Sequence, residues 1–136
     1  MTPLDCLPHK PPLRVLDQVE ELSSTRVRAS FLVRAGPLTR GEQLWSGALI
    51  EGLAQSAALL GASMEGEESG PQPIRGLLVG LRRFEFGRAV RLGERVDCQV
   101  ELVTRLGAGV LVSGTAWVGQ ELVASGRLQF VMEPVW

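Results

Sequence analysis

Apolar residues fill one long stretch of the chain and alternate with polar residues along most of the rest. Residues 48–62 read ALIEGLAQSAALLGA, and their apolar side chains go almost all the way round a helical wheel. This pattern predicts a central helix within residues 44–63 that is covered by protein on most sides. Glu51 and Gln55 are polar exceptions, and their spacing of four residues places them on one face of the helix.

The segments on both sides of this helix show the period-two alternation of half-buried strands. The alternation is clearest at residues 27–33, 96–102, 110–118 and 122–132, and apolar runs at 13–22 and 77–86 predict two more strands. Turns are predicted between the last three strands, at residues 106–109 and at the Gly119-Gln120 pair.

Loops and small residues complete the predicted fold. Residues 36–43 (GPLTRGEQ) predict a loop that leads into the helix, and residues 65–72 (EGEESGPQ) predict an exposed loop after it. Small residues on adjacent strands predict that the central helix packs closely over Gly114, Ala116, Ala124 and Gly126. We therefore predict one α+β domain over residues 1–136, in which a curved, largely antiparallel sheet of about six strands wraps a buried helix.

Composition and charge exclude several classes of protein. A chain of 136 residues with 45% hydrophobic residues is long enough for one core. Its net charge of −1 offers no general attraction to nucleic acid or to anionic membranes. Two cysteines, Cys6 and Cys98, and one histidine predict neither a disulfide framework nor a metal site. The chain lacks a signal-peptide pattern and its helix is a poor membrane span, so we expect a soluble, cytoplasmic protein.

Glu51 is the residue that most needs a chemical explanation. A carboxylate that faces a protein interior is costly unless it is partnered, protonated or used in chemistry. The structural alternative is a carboxylate held by Gln55 or by an arginine across a dimer interface. We favour a functional role, because a purely structural role is a costly use of a charge at such a position.

Four motifs spread over nearly the whole chain stand out by their order and spacing. They are residues 7–10 (LPHK), 15–19 (VLDQV), 47–55 (GALIEGLAQ) and 84–94 (FEFGRAVRLGE). Together they resemble the hotdog-fold dehydratases that act on 3-hydroxyacyl groups carried on acyl carrier protein. The resemblance implies a hotdog domain, a homodimer or higher homo-oligomer with active sites at the subunit interface, and an acyl-carrier-protein or coenzyme A thioester as substrate.

One position departs from the pattern of that family. Typical members carry a catalytic histidine in a Gly-His-Phe-Pro motif just before the central helix, whereas residues 36–41 here read GPLTRG. The histidine of this chain is His9, in the amino-terminal Leu-Pro-His motif. In that respect the chain resembles a divergent branch associated with aryl-polyene and related biosynthetic clusters.

Dehydration of a 3-hydroxyacyl thioester needs a base, an acid and a donor that stabilises the enolate oxygen. Glu51, kept protonated in a water-poor cleft, is the candidate acid, and His9 is the candidate base unless it is a surface or packing residue. Backbone N–H groups near Ser46 and Gly47 are candidate donors, and Gly47 lets a thioester approach closely. Gln55 is expected to orient Glu51, because an amide does not exchange a proton at neutral pH.

The sequence also carries a basic cluster and two notable tryptophans. The cluster predicts either a solvated strand face or a docking patch for an acidic carrier protein, and it consists of Arg82, Arg83, Arg88 and Arg91. Trp45 and Trp117 are expected in the core or at an interface, although an apolar acyl tunnel could use either.

Three functions are compatible with these features. The first is a dehydratase that uses Glu51 and His9 without a cofactor. The second is a hotdog thioesterase in which Glu51 activates water or attacks the thioester, which needs no histidine. The third is a non-catalytic subunit that binds acyl thioesters.

Overall fold

The structure is a computed structural model that describes residues 3–7, 14–65 and 74–134. Within these ranges the chain forms a short 3-10 helix at Pro3–Cys6, one α-helix and eight strands. The elements are β1 Gln18–Leu22, β2 Arg26–Leu32, β3 Thr39–Arg40, β4 Gln43–Leu44, α1 Gly47–Glu65, β5 Ile74–Phe86, β6 Arg95–Leu106, β7 Gly109–Val118 and β8 Glu121–Pro134.

Six of these strands form one antiparallel sheet in the order β1-β2-β6-β7-β8-β5. This arrangement confirms the predicted α+β fold, including the turn at residues 119–120, where Gly119 has a φ of 58°. Several elements differ in extent from prediction, most clearly in two places. The first strand begins at Gln18 instead of residue 13, and the predicted loop at 36–43 contains the short β3–β4 hairpin. The predicted loop at 65–72 lies, apart from Glu65, outside the described residues.

Helix α1 packs against one face of the sheet and contacts all six of its strands. Leu53, Leu59 and Leu60 are fully buried, and they meet inward-facing residues of the sheet such as Val100 and Leu128, which are also fully buried. Burying large aliphatic side chains of this kind stabilises the fold by about 1.5–3 kcal/mol each. Among the described residues, no helix is long and apolar enough to cross a membrane.

One stripe of α1 is not covered by the sheet. Ile50, Ala54 and Ala58 are only partly buried, and Glu51, which lies beside them at helical spacing, is exposed. The prediction that protein covers the helix on most sides is therefore confirmed for the sheet-facing side and wrong for this stripe of the single chain. An uncovered apolar stripe next to a carboxylate is a surface that a substrate or a second chain can contact.

The small residues of β7 and β8 pack against two different neighbours, the central helix and the ring of Phe84. Gly114 faces the helix as predicted, because a Cβ there would lie 3.3 Å from Leu53. The prediction is wrong for Gly126, where a Cβ would press on the ring of Phe84 on β5 and lie 2.8 Å from its Cγ and Cε2 atoms. Phe84 reaches this position because β5 bulges between Arg82 and Glu85, with Arg83 in the left-handed region at a φ of 51°.

Cys98 is the cysteine whose side chain the structure describes. It is a fully buried free thiol, and a Cβ added at Gly52 of α1 would lie 3.2 Å from its sulfur. Burial, followed by the nearby Asp97 carboxylate, raises the pKa of Cys98 to about 12. The thiol is therefore protonated at neutral pH and serves the core as a small apolar residue.

Replacing Gly126 by Ala should destabilise the fold by about 1–3 kcal/mol, because the added methyl group displaces the Phe84 ring. The measurement is the free energy of unfolding in urea. Gly80→Ala is the matched control on the neighbouring strand, since its Cβ meets only Gln129 at an ordinary 3.6 Å. Equal stability of the two variants would show that the close packing of Phe84 on residue 126 has no energetic importance.

Candidate active site

Glu51 projects from the second turn of α1, where its side chain is exposed. The prediction of an interior carboxylate is wrong for the single chain, because the stripe of α1 that carries Glu51 is not buried against the described sheet. The carboxylate accepts a long hydrogen bond of 3.4 Å from Nε2 of Gln55, one turn further along the helix. Glu51 is therefore open to a bound molecule on one side and held by Gln55 on the other.

Gln55 is fully buried and connects the helix to the segment that precedes β1. Its Oε1 accepts a hydrogen bond of 2.9 Å from the backbone N–H of Val15 and a longer one of 3.5 Å from that of Leu16. These two donors fix which end of the amide is the oxygen, so the amide nitrogen is turned toward Glu51. Gln55 is thus hydrogen-bonded both to the segment before β1 and to Glu51.

His9 lies outside the described residues, so the structure does not place the predicted base. The described residues on both sides of it are held firmly in the core. Leu7 and Leu16 are each 2% exposed, and Val15 is bonded to Gln55.

The start of α1 offers two backbone donors. The N–H groups of Ala48 and Leu49 donate to the carbonyls of Trp45 and Ser46, at 2.9 and 3.0 Å. Those of Ser46 and Gly47 have no hydrogen-bond partner among the described residues. They lie at the positive end of the helix dipole, where a developing negative charge is stabilised.

Trp45 supplies the structural reason for glycine at position 47. The indole lies over Gly47, where a Cβ would be only 2.6 Å from Cη2 and 2.7 Å from Cε2 of the ring. Glycine is therefore needed for the close packing of Trp45, whether or not a thioester also approaches there. Trp45 is 61% exposed, so in the single chain it is a surface residue instead of a core residue.

A groove of about 670 Å³ runs between the β3–β4 hairpin, the start of α1 and residues 86–90. Trp45, Leu49 and Phe86 give it apolar walls, and Ser46 lines it near the helix start. Glu51 and Gln55 do not line this groove. Trp117 lies on the face of the sheet that is turned away from α1, where its Nε1 donates to Thr115 Oγ1 at 2.9 Å.

Arg88 fixes the wall of this groove by a clasp, which we define as the contacts of Arg88 with Glu94 and Glu121. Nη1 and Nη2 of Arg88 each lie 2.8 Å from Glu94, and Nε lies 3.0 Å from Glu121 at the β7–β8 turn. Glu94 also accepts the backbone N–H of Arg91 at 2.9 Å. The Arg88 guanidinium, together with this N–H group, holds the pKa of Glu94 at about 2.

The clasp distinguishes Arg88 from the other three arginines of the predicted docking patch. Arg88 is engaged with two carboxylates, whereas Arg82 and Arg83 are exposed on β5 and Arg91 is exposed in the turn before β6. Sequence reasoning missed Arg127, which lies directly opposite Arg82 on β8. Its alternating position in β8 marked it as outward-facing, but its neighbour depends on strand register, which the sequence pattern alone does not reveal.

The chain is similar in sequence to known dehydratases. A family model described as ApeP-like, ApeP dehydratase, matches residues 1–135. The 3-hydroxyacyl-[acyl-carrier-protein] dehydratase FabZ of Anaeromyxobacter sp. (strain K) is 31% identical, with 93% of this chain and 85% of that protein covered. The FabZ of Symbiobacterium thermophilum is 32% identical, with 95% of this chain and 93% of that protein covered.

Two solved structures illustrate the likeness in fold. The dehydratase heterocomplex ApeI:P from Xenorhabdus doucetiae has a chain that superposes with a TM-score of 0.84 at 23% identity, covering 99% of this chain and 93% of that one. A hypothetical thioesterase with coenzyme A from Streptococcus pneumoniae gives a TM-score of 0.71 at 12% identity, covering 87% and 88%. At these identities the structural likeness shows the hotdog fold alone.

The clasp makes a prediction about acid stability. Because the folded-state pKa of Glu94 is about 2 and its ordinary value is 4.5, its stabilising effect is complete above pH 4.5 and lost as the pH falls toward 2. Glu94→Gln should therefore lower the urea midpoint clearly at pH 6 and much less at pH 2.5. The Glu94 side chain is 26% exposed, so added salt should weaken the effect.

Glu121→Gln is the control for this experiment. It removes the contact of Arg88 with Glu121, whose side chain is 64% exposed, and leaves both contacts of Arg88 with Glu94 in place. A loss of stability for Glu94→Gln that is the same at both pH values would contradict a charged clasp.

Proposed function

The chain belongs to the ApeP-like dehydratase family, and from this premise we propose that Glu51 and His9 eliminate water from a 3-hydroxyacyl thioester carried on acyl carrier protein. The observation that carries the proposal is the position of Glu51. Its carboxylate is exposed on α1, is held by a fully buried amide, and follows a helix start with two backbone donors that have no partner among the described residues.

The proposed reaction assigns each proton to a named group. His9 removes the proton from the carbon next to the thioester carbonyl, and the electron pair moves into an enolate. The N–H groups of Ser46 and Gly47 stabilise the enolate oxygen. Glu51 then protonates the departing 3-hydroxyl group, which leaves as water, and the product is the 2-enoyl thioester. Gln55 acts as a positioning residue for Glu51.

Glu51 can serve as an acid only if water is largely excluded from it. In the single chain Glu51 is exposed, and its neighbours on the same stripe, Ile50, Ala54 and Ala58, are only partly buried. We propose that a second chain covers this stripe and thereby completes the cleft. The acyl thioester then lies between the two chains, with Glu51 at its 3-hydroxyl group.

Strand β5 is the candidate contact with that second chain. It is an edge strand that pairs only with β8 among the described strands, and it exposes Leu77, Val79 and Leu81. A long apolar edge is a template for pairing with another strand. The second chain is a second copy in a homodimer, or a different subunit, as in the structurally similar dehydratase heterocomplex ApeI:P.

A thioesterase is the alternative function, and the sequence that precedes the helix supports this alternative. Residues 36–41 hold no histidine, and hydrolysis that uses Glu51 alone needs none. In this alternative Glu51 activates water or attacks the thioester carbonyl, and the products are a free acid and the carrier thiol.

The two functions differ in what the His9→Ala variant does. As a dehydratase, the assembled protein should lose about 10²–10⁴-fold in kcat with either Glu51→Gln or His9→Ala, since each removes one acid–base partner. Mass spectrometry of a 3-hydroxyacyl carrier protein measures the product. Glu51→Gln should change the melting temperature little, because the Glu51 side chain is exposed. Glu101→Gln is the matched control, because it makes the same change at an exposed glutamate on the far face of the sheet.

Full activity of His9→Ala with release of the carrier thiol would support the thioesterase instead. If the wild type binds acyl carrier thioesters but, like Glu51→Gln, converts none of them, the chain is a non-catalytic subunit.

A further inference from the structure

The chain passes between β2 and the central helix just before β1 begins. Strand β1 starts at Gln18 and pairs with β2. The residues directly before it are Val15, Leu16 and Asp17, and we call these three the bridging segment. Val15 and Leu16 are buried, whereas the Asp17 side chain is 31% exposed. The proposed reaction gives this segment no role of its own.

Consecutive backbone N–H groups attach the bridging segment to both of its neighbours. Those of Val15 and Leu16 donate to Oε1 of Gln55 on α1, at 2.9 and 3.5 Å. That of Asp17 donates to the carbonyl oxygen of Ser30 on β2, at 2.9 Å. Because backbone donors inside a protein need partners, the position of the segment against β2 also determines where the Gln55 amide lies.

The Asp17 carboxylate holds the segment to the end of β2. Its Oδ2 accepts the N–H of Leu32, the last residue of β2, at 2.8 Å. Continued pairing of β1 with β2 in the same register would place Leu16 opposite Leu32. Leu16 donates to Gln55 instead, and the Asp17 carboxylate takes the Leu32 N–H in its place. Asp17 thus keeps the chain attached to β2 where it turns toward α1.

Arg34 contributes less to this attachment than Leu32 does. Its Nη1 lies 3.1 and 3.3 Å from the two carboxylate oxygens of Asp17, and its side chain is 64% exposed. Ion pairs at such exposure stabilise a fold little, whereas a hydrogen bond from a backbone N–H to a carboxylate is charge-assisted and stronger. The hydrogen bond to Leu32 is therefore the main attachment.

We propose that Asp17 is a positioning residue that acts on Glu51 through the bridging segment and Gln55. Nε2 of Gln55 donates to Glu51 at 3.4 Å, close to the longest distance at which a hydrogen bond forms. A small displacement of the amide would therefore release the Glu51 carboxylate. Under the proposed function, on which this role rests, Asp17 keeps Glu51 directed at the departing 3-hydroxyl group without touching the substrate.

Dehydration of a 3-hydroxyacyl carrier protein by the assembled protein tests this role. Asp17→Ala should lower kcat by about tenfold per folded molecule and change KM by less than about twofold, because it displaces an acid instead of a binding group. Asp17→Asn keeps an oxygen for the Leu32 N–H and should lower kcat by less than about threefold. Arg34→Gln is the matched control, since it removes the ion pair and leaves the bond to Leu32. It should change kcat by less than about twofold.

A double-mutant cycle with Gln55 tests the route by which Asp17 acts. Gln55→Met keeps the length of the side chain and removes the acceptor of the Val15 N–H. Adding Asp17→Ala to Gln55→Met should lower kcat by less than about twofold further, because the route is already interrupted. A further loss of about tenfold in this background would show that Asp17 acts in another way, and would overturn the proposal.

The side-chain amide resonances of Gln55 in NMR spectra of the assembled protein test the same attachment without catalysis. They should shift and broaden in Asp17→Ala and keep their wild-type positions in Asp17→Asn and Arg34→Gln. A role of Asp17 in stability alone would not move them, because the folded state would be unchanged. Unchanged Gln55 resonances in Asp17→Ala would therefore overturn the proposal, whatever the change in kcat.

The two measurements also separate this proposal from the proposed function. If the wild type converts no 3-hydroxyacyl thioester, the proposed function fails. The Gln55 resonances still decide in that case whether Asp17 holds the bridging segment against the amide.

Discussion

The fully buried amide of Gln55 connects the segment before β1 to the face of α1 that carries Glu51, the residue of the proposed active site. A buried amide must have its hydrogen-bonding groups satisfied, and the N–H of Val15 satisfies its oxygen at 2.9 Å. That single contact fixes the segment before β1 relative to α1 and turns the amide nitrogen toward Glu51. The Glu51 carboxylate accepts a hydrogen bond from this amide and nevertheless stays exposed.

Around this amide, separate contacts hold the walls of the neighbouring groove. The indole of Trp45 packs on Gly47 at the start of α1, and the Arg88 clasp holds residues 86–94 to the β7–β8 turn. The Arg88 guanidinium is already paired with two carboxylates of its own chain, so it is not available to pair with a carboxylate of another protein. Arg82 and Arg127 differ in this respect, since strand register places them opposite each other and neither has an ion-pair partner among the described residues.

Sequence patterns predicted the helix and the six-stranded sheet, because both depend on periodic burial within one chain. They failed for Glu51, since an apolar helical wheel does not say whether the sheet or a second chain covers a given side. The β5 bulge that turns Phe84 over Gly126 also escaped prediction, because a bulge changes the pairing of strands that are distant in sequence. The same dependence on register hid the Arg82–Arg127 pair. His9 was selected by its motif, and its place relative to Glu51 remains a proposal.

The central claim is that His9 and Glu51 act on one substrate in the assembled oligomer. Its most direct test is the distance between the His9 imidazole and the Glu51 carboxylate in a crystal structure of that oligomer with an unreactive 3-hydroxyacyl analogue, counting contacts across subunits. We predict that both groups line one cleft within about 7 Å of each other, on either side of the bond that loses water. An analogue bound beside Glu51 with His9 on the outer surface would contradict the claim.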